Sequence, residues 1–145
     1  MDPRCRFVLP EQERLPLSGG EWIEVKRELN AGEQRHVDAC RFKQTRVGEL
    51  PTLDYERVGT TRILAYVTGW SMVGFDGRPE PFDESGLHQL DMDTYLEIER
   101  AIDAHEGRIS ARREARKNAR DGAMTSPAIS PSPYAAAGVL SGFER

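Results

Sequence analysis

The stretch from Thr61 to Val73, T-R-I-L-A-Y-V-T-G-W-S-M-V, is the longest mostly apolar run in an otherwise charged chain, so any core must form on it. Within it Ile63, Leu64, Tyr66, Val67 and Trp70 recur at steps of three and four, and Tyr55 and Val58 extend the pattern backwards. That spacing predicts a helix from about Leu53 to Gly69, with Gly69 as its stop signal.

The flanks supply the partners for this helix. Residues 1–16 carry Phe7, Val8, Leu9 and Leu15 among Pro3, Pro10 and Pro16, which reads as an arm or a loosely held edge strand. In E-W-I-E-V-K-R-E-L, from Glu21 to Leu29, Ile23 and Val25 alternate with charged residues, a strand pattern able to pair with part of the arm as a hairpin. Asn30 with Glu33 forms a capping box, predicting a helix from Ala31 to Lys43 with Val37, Cys40 and Phe42 as a thin apolar face. A loop from Thr45 to Leu53 leads to the central helix. After Trp70, Asp76-Gly77 marks a turn, and two prolines make the path irregular. Glu84 to Leu90 reads as a short helical turn. Asp91 is an N-cap for a long last helix in which Tyr95, Ile98, Ile102, His105 and Ile109 face inward, while Glu97, Glu99, Arg100, Asp103 and Glu106 face water. Order is expected to fade past Ile109 and the helix to end near Asp121-Gly122. The fold class is therefore mainly α with a small N-terminal β element (α+β), divided into an arm over 1–16, a helical domain over 17–120 and a Ser/Pro/Ala-rich disordered linker or tail over 121–145.

Charge is uneven along the chain although the formal net is only -4. Residues 76–106 hold ten acids against two bases, and residues 107–120 hold six bases against Glu114 alone. The basic cluster lacks interleaved aromatics, and a solvated helical end is preferred to nucleic-acid contact. No window approaches the roughly 18 apolar residues of a membrane span. With Cys5 and Cys40 isolated and no apolar leader at the N-terminus, a reducing cytoplasm with free thiols is expected.

No catalytic or cofactor-binding constellation stands out. His36, His88 and His105 share no metal-ligand spacing with either cysteine, so no metal or other cofactor is expected. Asp91 and Asp93 are explained by capping, and neither a phosphate-cradling glycine loop nor a serine-nucleophile signature is present. Tyr66 and Trp70 are read as core, and Trp22 divides evenly between core and a contact surface.

The order of the pieces W-I-E-V-K-R-E-L, G-E-Q-R, I-L-A-Y-V-T-G-W-S, D-G-R-P-E-P-F and L-D-M-D-T-Y-L-E-I-E-R-A-I-D-A-H-E resembles the tail assembly chaperones of long-tailed (siphovirus-type) bacteriophages. It covers Leu17 to Glu106, about 60% of the chain, with structural motifs only. The resemblance implies a non-enzymatic factor of virion morphogenesis in the host cytoplasm, absent from the mature virion. Such a factor binds the tape-measure protein, keeps it soluble and promotes tail-tube polymerisation around it. It also implies a longer frameshifted product that recruits tail-tube protein, and Arg116-Lys117-Asn118 can be encoded by a slippery heptamer. On this reading Trp22, Ile23, Val25, Phe75, Tyr95 and Ile109 contact the partner, and Ile63, Leu64, Tyr66, Val67, Trp70, Ile98 and Ile102 hold the core. Self-association is compatible with coating a long chain, though no sustained heptad demands it. The alternatives are a tail or connector subunit retained in the virion, and a nucleic-acid-binding regulator using residues 108–120.

Overall fold

The alternation around Ile23 and Val25 produces the hairpin it calls for. In the computed structural model, which describes residues 6–43 and 46–124, β1 (Gln12–Pro16) runs antiparallel to β2 (Trp22–Lys26), with Leu15 opposite Ile23 and Glu13 opposite Val25. A 3₁₀ turn over Ser18–Gly20 joins them, and Leu17 N–H donates to the Glu21 carbonyl at 2.8 Å. Gly19 and Gly20 take φ of 71° and 80°, a region that glycine enters without a Cβ penalty. Ile23 and Val25 point inward and are fully buried, while Trp22, Glu24 and Lys26 alternate to the other face and are half-buried. Of the two readings for 1–16, the edge strand holds for its last five residues: β1 lies at the edge of the sheet, paired with β2, and Leu15 is buried.

The apolar run does not form one helix. It divides into α2 (Tyr55–Tyr66) and, with no loop between, β3 (Val67–Trp70), the third strand of a sheet ordered β1-β2-β3. Val67 N–H still donates to the Ile63 carbonyl, but its own φ/ψ are extended, and from there the backbone bonds to β2. The register slips between Glu24 and Val25, which lets both Val67 and Trp70 be buried. Over so few residues, apolar spacing does not distinguish the end of a helix from a buried strand, and pairing with β2 decides. The helix begins at an Asp54 cap, whose Oδ1 accepts Arg57 N–H at 3.1 Å, and Tyr55 is exposed.

Before these, α1 (Ala31–Ala39) carries the expected capping box, with Glu33 N–H on Asn30 Oδ1 at 2.9 Å and Asn30 N–H on Glu33 Oε2 at 3.0 Å. It ends four residues earlier than expected, because Phe42 bridges to Leu53 and Lys43 N–H donates to the Thr52 carbonyl at 2.8 Å. Glu33 also accepts from Lys26 Nζ, at 2.5 Å, and so ties α1 to β2. After β3, Trp70 fixes the returning chain. Its Nε1 donates to the Glu80 carbonyl at 2.7 Å and its ring meets Phe82 edge-on, leading into α3 (Glu84–His88).

The last helix, α4 (Met92–Met124), is 33 residues long. Asp91 caps it through Thr94, and these hydrogen bonds hold the Asp91 carboxyl below its ordinary pKa. Ile98, Ile102, His105 and Ile109 form its buried face. Its acids do not simply face water. Glu97 accepts from Ser18 N–H and hydroxyl, and Asp103 and Glu106 grip Arg62 of α2 at 2.5 and 2.6 Å. Burial alone would lower the Arg62 pKa, yet the hydrogen bonds and charges of these two acids raise it. Backbone contacts group Met1–Arg112 as one unit and Arg113–Arg145 as another, and in the second the helix continues through Asp121-Gly122 to Met124. The linker or tail expected over 121–145 therefore begins with helix, and its remainder lies outside the described residues.

His105 is the one fully buried polar side chain among the described residues. A carbonyl only accepts, so Nε2, 2.9 Å from the Lys26 oxygen, carries a proton. Nδ1 lies 2.8 Å from Glu13 Oε1, within ion-pair range when the ring is protonated but without the alignment of a hydrogen bond. The ring also meets Tyr66 edge-on at 5.5 Å. His105→Leu strands the Lys26 carbonyl, and urea denaturation is expected to show a loss of about 1–3 kcal/mol. An unchanged midpoint would mean that these contacts add no net stability.

Glu33 sets a pH dependence. The hydrogen bond from Lys26, opposed by burial and aided by Asn30 N–H, lowers its pKa from 4.5. Its contribution is therefore complete above pH 4.5 and is lost as pH falls through the lower folded value. Glu33→Gln is expected to lose less stability than the parent between pH 7 and pH 3, and parallel losses would refute the assignment.

Candidate interaction surface

Helix α2 has two working faces. Gly59, Ile63 and Tyr66 turn into the core, and Arg57, Thr60, Thr61, Leu64 and Ala65 turn towards a groove of about 590 Å³ shared with α1 and α3. Gly59 faces α4 closely: a Cβ there would come within 2.1 Å of Glu99 Oε1, so the Glu99 side chain would have to swing aside. The groove floor is apolar at Leu64 and Ala65, and its rim is polar, with His36 and Cys40 from α1 and His88 from α3. Leu64, expected in the core, is only partly buried because it occupies this border.

The rim does not assemble a reactive set. Cys40 Sγ lies 3.9 Å from His36 Nε2, one helical turn away, but among the described residues no third side chain orients the imidazole, as an activated nucleophile needs. No group of three or more His, Cys, Asp or Glu able to hold a metal occurs among the described residues. The groove presents a small apolar patch at Leu64 and Ala65, bordered by hydrogen-bonding groups and by charges of both signs at Asp54, Glu56, Arg57 and Glu84.

Beside the groove, the chain exposes apolar side chains on its loops. Asp54 N–H donates to the Arg41 carbonyl at 2.9 Å, closing a loop between two groove-lining residues, Cys40 and Asp54. This loop presents Phe42, Val47, Leu50 and Leu53 to solvent, and Tyr55 follows at 81% exposure. A second loop is closed by the Val73–Pro79 bridge and by Gly74 N–H on the Arg78 carbonyl at 2.8 Å. Its turn uses Gly77 at φ 73°, as Asp76-Gly77 foretells, and carries Phe75 wholly exposed.

The six expected contact residues do not share one surface. Ile23, Val25 and Ile109 are core residues with at most 4% exposure, so a partner cannot reach them in the folded chain. Alternation and helical spacing identified their faces correctly, but the sheet and α4 bury those faces against each other. Tyr95 is half-buried at the α2–α4 seam, its hydroxyl 3.2 Å from Thr60 Oγ1. Trp22 stays half-exposed beneath the Arg14 guanidinium, 3.9 Å from the ring centroid, and Phe75 is fully available. Val47 and Leu50 escape a pattern-based reading, although their signal is visible: apolar residues around Gly48 and Pro51 that fit neither a strand nor a helix period, whereas Tyr55, which helical spacing draws into the apolar pattern, lies exposed in the first turn of α2.

Compared with known proteins, the chain is matched by no family model, no curated protein and no solved structure.

Proposed function

We propose that this chain is a non-enzymatic tail assembly chaperone of long-tailed bacteriophages, which binds the tape-measure protein and keeps it soluble while tube protein polymerises around it. The reading is supported by the sequence resemblance over Leu17 to Glu106 and, above all, by one observation: Phe42, Leu50, Leu53 and Tyr55 lie exposed on and just after the loop that joins two residues lining the α1–α2–α3 groove. Contiguous exposed apolar surface is costly for a soluble domain unless something covers it. A long helical chain with an apolar stripe is such a cover, since its side chains at steps of three and four can enter a groove while the polar rim holds its sides.

The contact surface in this proposal is Phe42, Leu50, Tyr55 and Leu64, with Phe75 and Trp22 at further points, replacing the buried Ile23, Val25 and Ile109. Co-expression with the tape-measure protein of the same phage tests it. The parent chain is expected to move the tape measure into the soluble fraction and to co-purify with it. Leu50→Ser with Tyr55→Ser alters only exposed positions, so thermal stability should stay within about 0.5 kcal/mol of the parent while the soluble tape measure falls several-fold. Parent chain that neither solubilises nor binds the tape measure would overturn the function. A double variant that performs like the parent would overturn the surface.

A further inference from the structure

The last helix continues well beyond the residues that pack its buried face, and that continuation has its own chemistry. After Ile109 every described side chain to Ala123 is exposed except Arg112, which is half-buried. Between Ile109 and Met124 the only apolar side chains are Ala111, Ala115, Ala119 and Ala123, one every fourth residue. Arg112, Arg116 and Arg120 follow at the same interval, so they lie along one slowly turning stripe, about 6 Å apart in rise. Arg108, Arg113 and Lys117 broaden it, against Glu114 and Asp121.

We propose that this basic helix, from Arg108 to Arg120, binds the phosphate backbone of duplex DNA without sequence preference. The composition favours that partner over others. A protein interface is centred on large apolar or aromatic side chains, and a helix lying on a membrane needs an apolar face; this stretch has neither. It retains positive charge at regular spacing, small alanines that allow close approach, and a helix whose diameter of about 10–12 Å matches the B-form major groove of about 12 Å. The corresponding groove of duplex RNA is too narrow to admit it. The site is distinct from the groove on α2, so the two proposals stand or fall separately.

The test is fluorescence anisotropy of a labelled 20-base-pair DNA duplex titrated with the full chain at several salt concentrations. With three to four phosphates contacted, affinity is expected to fall about 40- to 150-fold between 50 and 200 mM salt. Arg116→Gln, Lys117→Gln and Arg120→Gln together are expected to lower the log–log salt slope by about 2–3 while the thermal unfolding midpoint is unchanged. Arg116→Lys with Arg120→Lys keeps the charge and should bind like the parent, separating loss of charge from loss of helix. No binding at 50 mM salt, an unchanged slope in the triple variant, or equal binding to polyglutamate or duplex RNA would each overturn the proposal.

Discussion

The fold depends on one polar contact made inside an apolar layer, that of His105 with the hairpin. A sheet of three strands, each four or five residues long, has little apolar area of its own and must be closed by α4. Ile98, Ile102 and Ile109 supply the apolar part of that closure, but packing alone leaves a helix free to slide by small steps. The imidazole removes this freedom: Nε2 selects the Lys26 carbonyl on β2, and Nδ1 faces Glu13 on β1. A buried donor left unpaired costs more than a formed hydrogen bond gains, so an alternative register is penalised. Glu97 on Ser18 and Arg62 between Asp103 and Glu106 fix the same helix at other points along its length.

The same arrangement protects the sheet. Strand β1 is an edge, and an exposed edge invites pairing with other chains. Here Pro10 precedes the strand, Pro16 ends it, and Glu13 is a carboxylate on its inward side. The carboxylate is tolerated there because His105 faces it. One residue pair thus orients the helix and makes the edge a poor template for aggregation. That matters for a domain that leaves Phe42, Leu50, Tyr55 and Phe75 in solvent, where intermolecular contact is favourable unless its route is restricted.

How far the sequence could be read follows from how local each cause is. The Asn30–Glu33 box, the Asp91 cap, the Asp76-Gly77 turn and the β1–β2 alternation act within a few residues, and each was legible. The buried face of α4 was legible for the same reason. The change from helix to strand at Val67 was not, because it is caused by β2, more than forty residues earlier in the chain. The residues expected to meet a partner were the least legible. Ile23, Val25 and Ile109 show which faces are apolar but not that these faces meet, and Leu64 lies close enough to both core and groove for spacing to assign it either way.

The acidic and basic blocks, adjacent in sequence, have different physical roles. Between Asp91 and Glu106, Asp91 caps the helix, Glu97 holds Ser18, and Asp103 and Glu106 hold Arg62, so the charge of these four serves the fold. From Arg108 onward the described helix is exposed apart from Ile109 and a half-buried Arg112, and the alanines between the bases add no buried surface. A helix of this composition gains only tenths of a kcal/mol per residue from propensity and side-chain pairs. Its charge is therefore not needed to explain the packed core of the described residues, whose last buried member is Ile109.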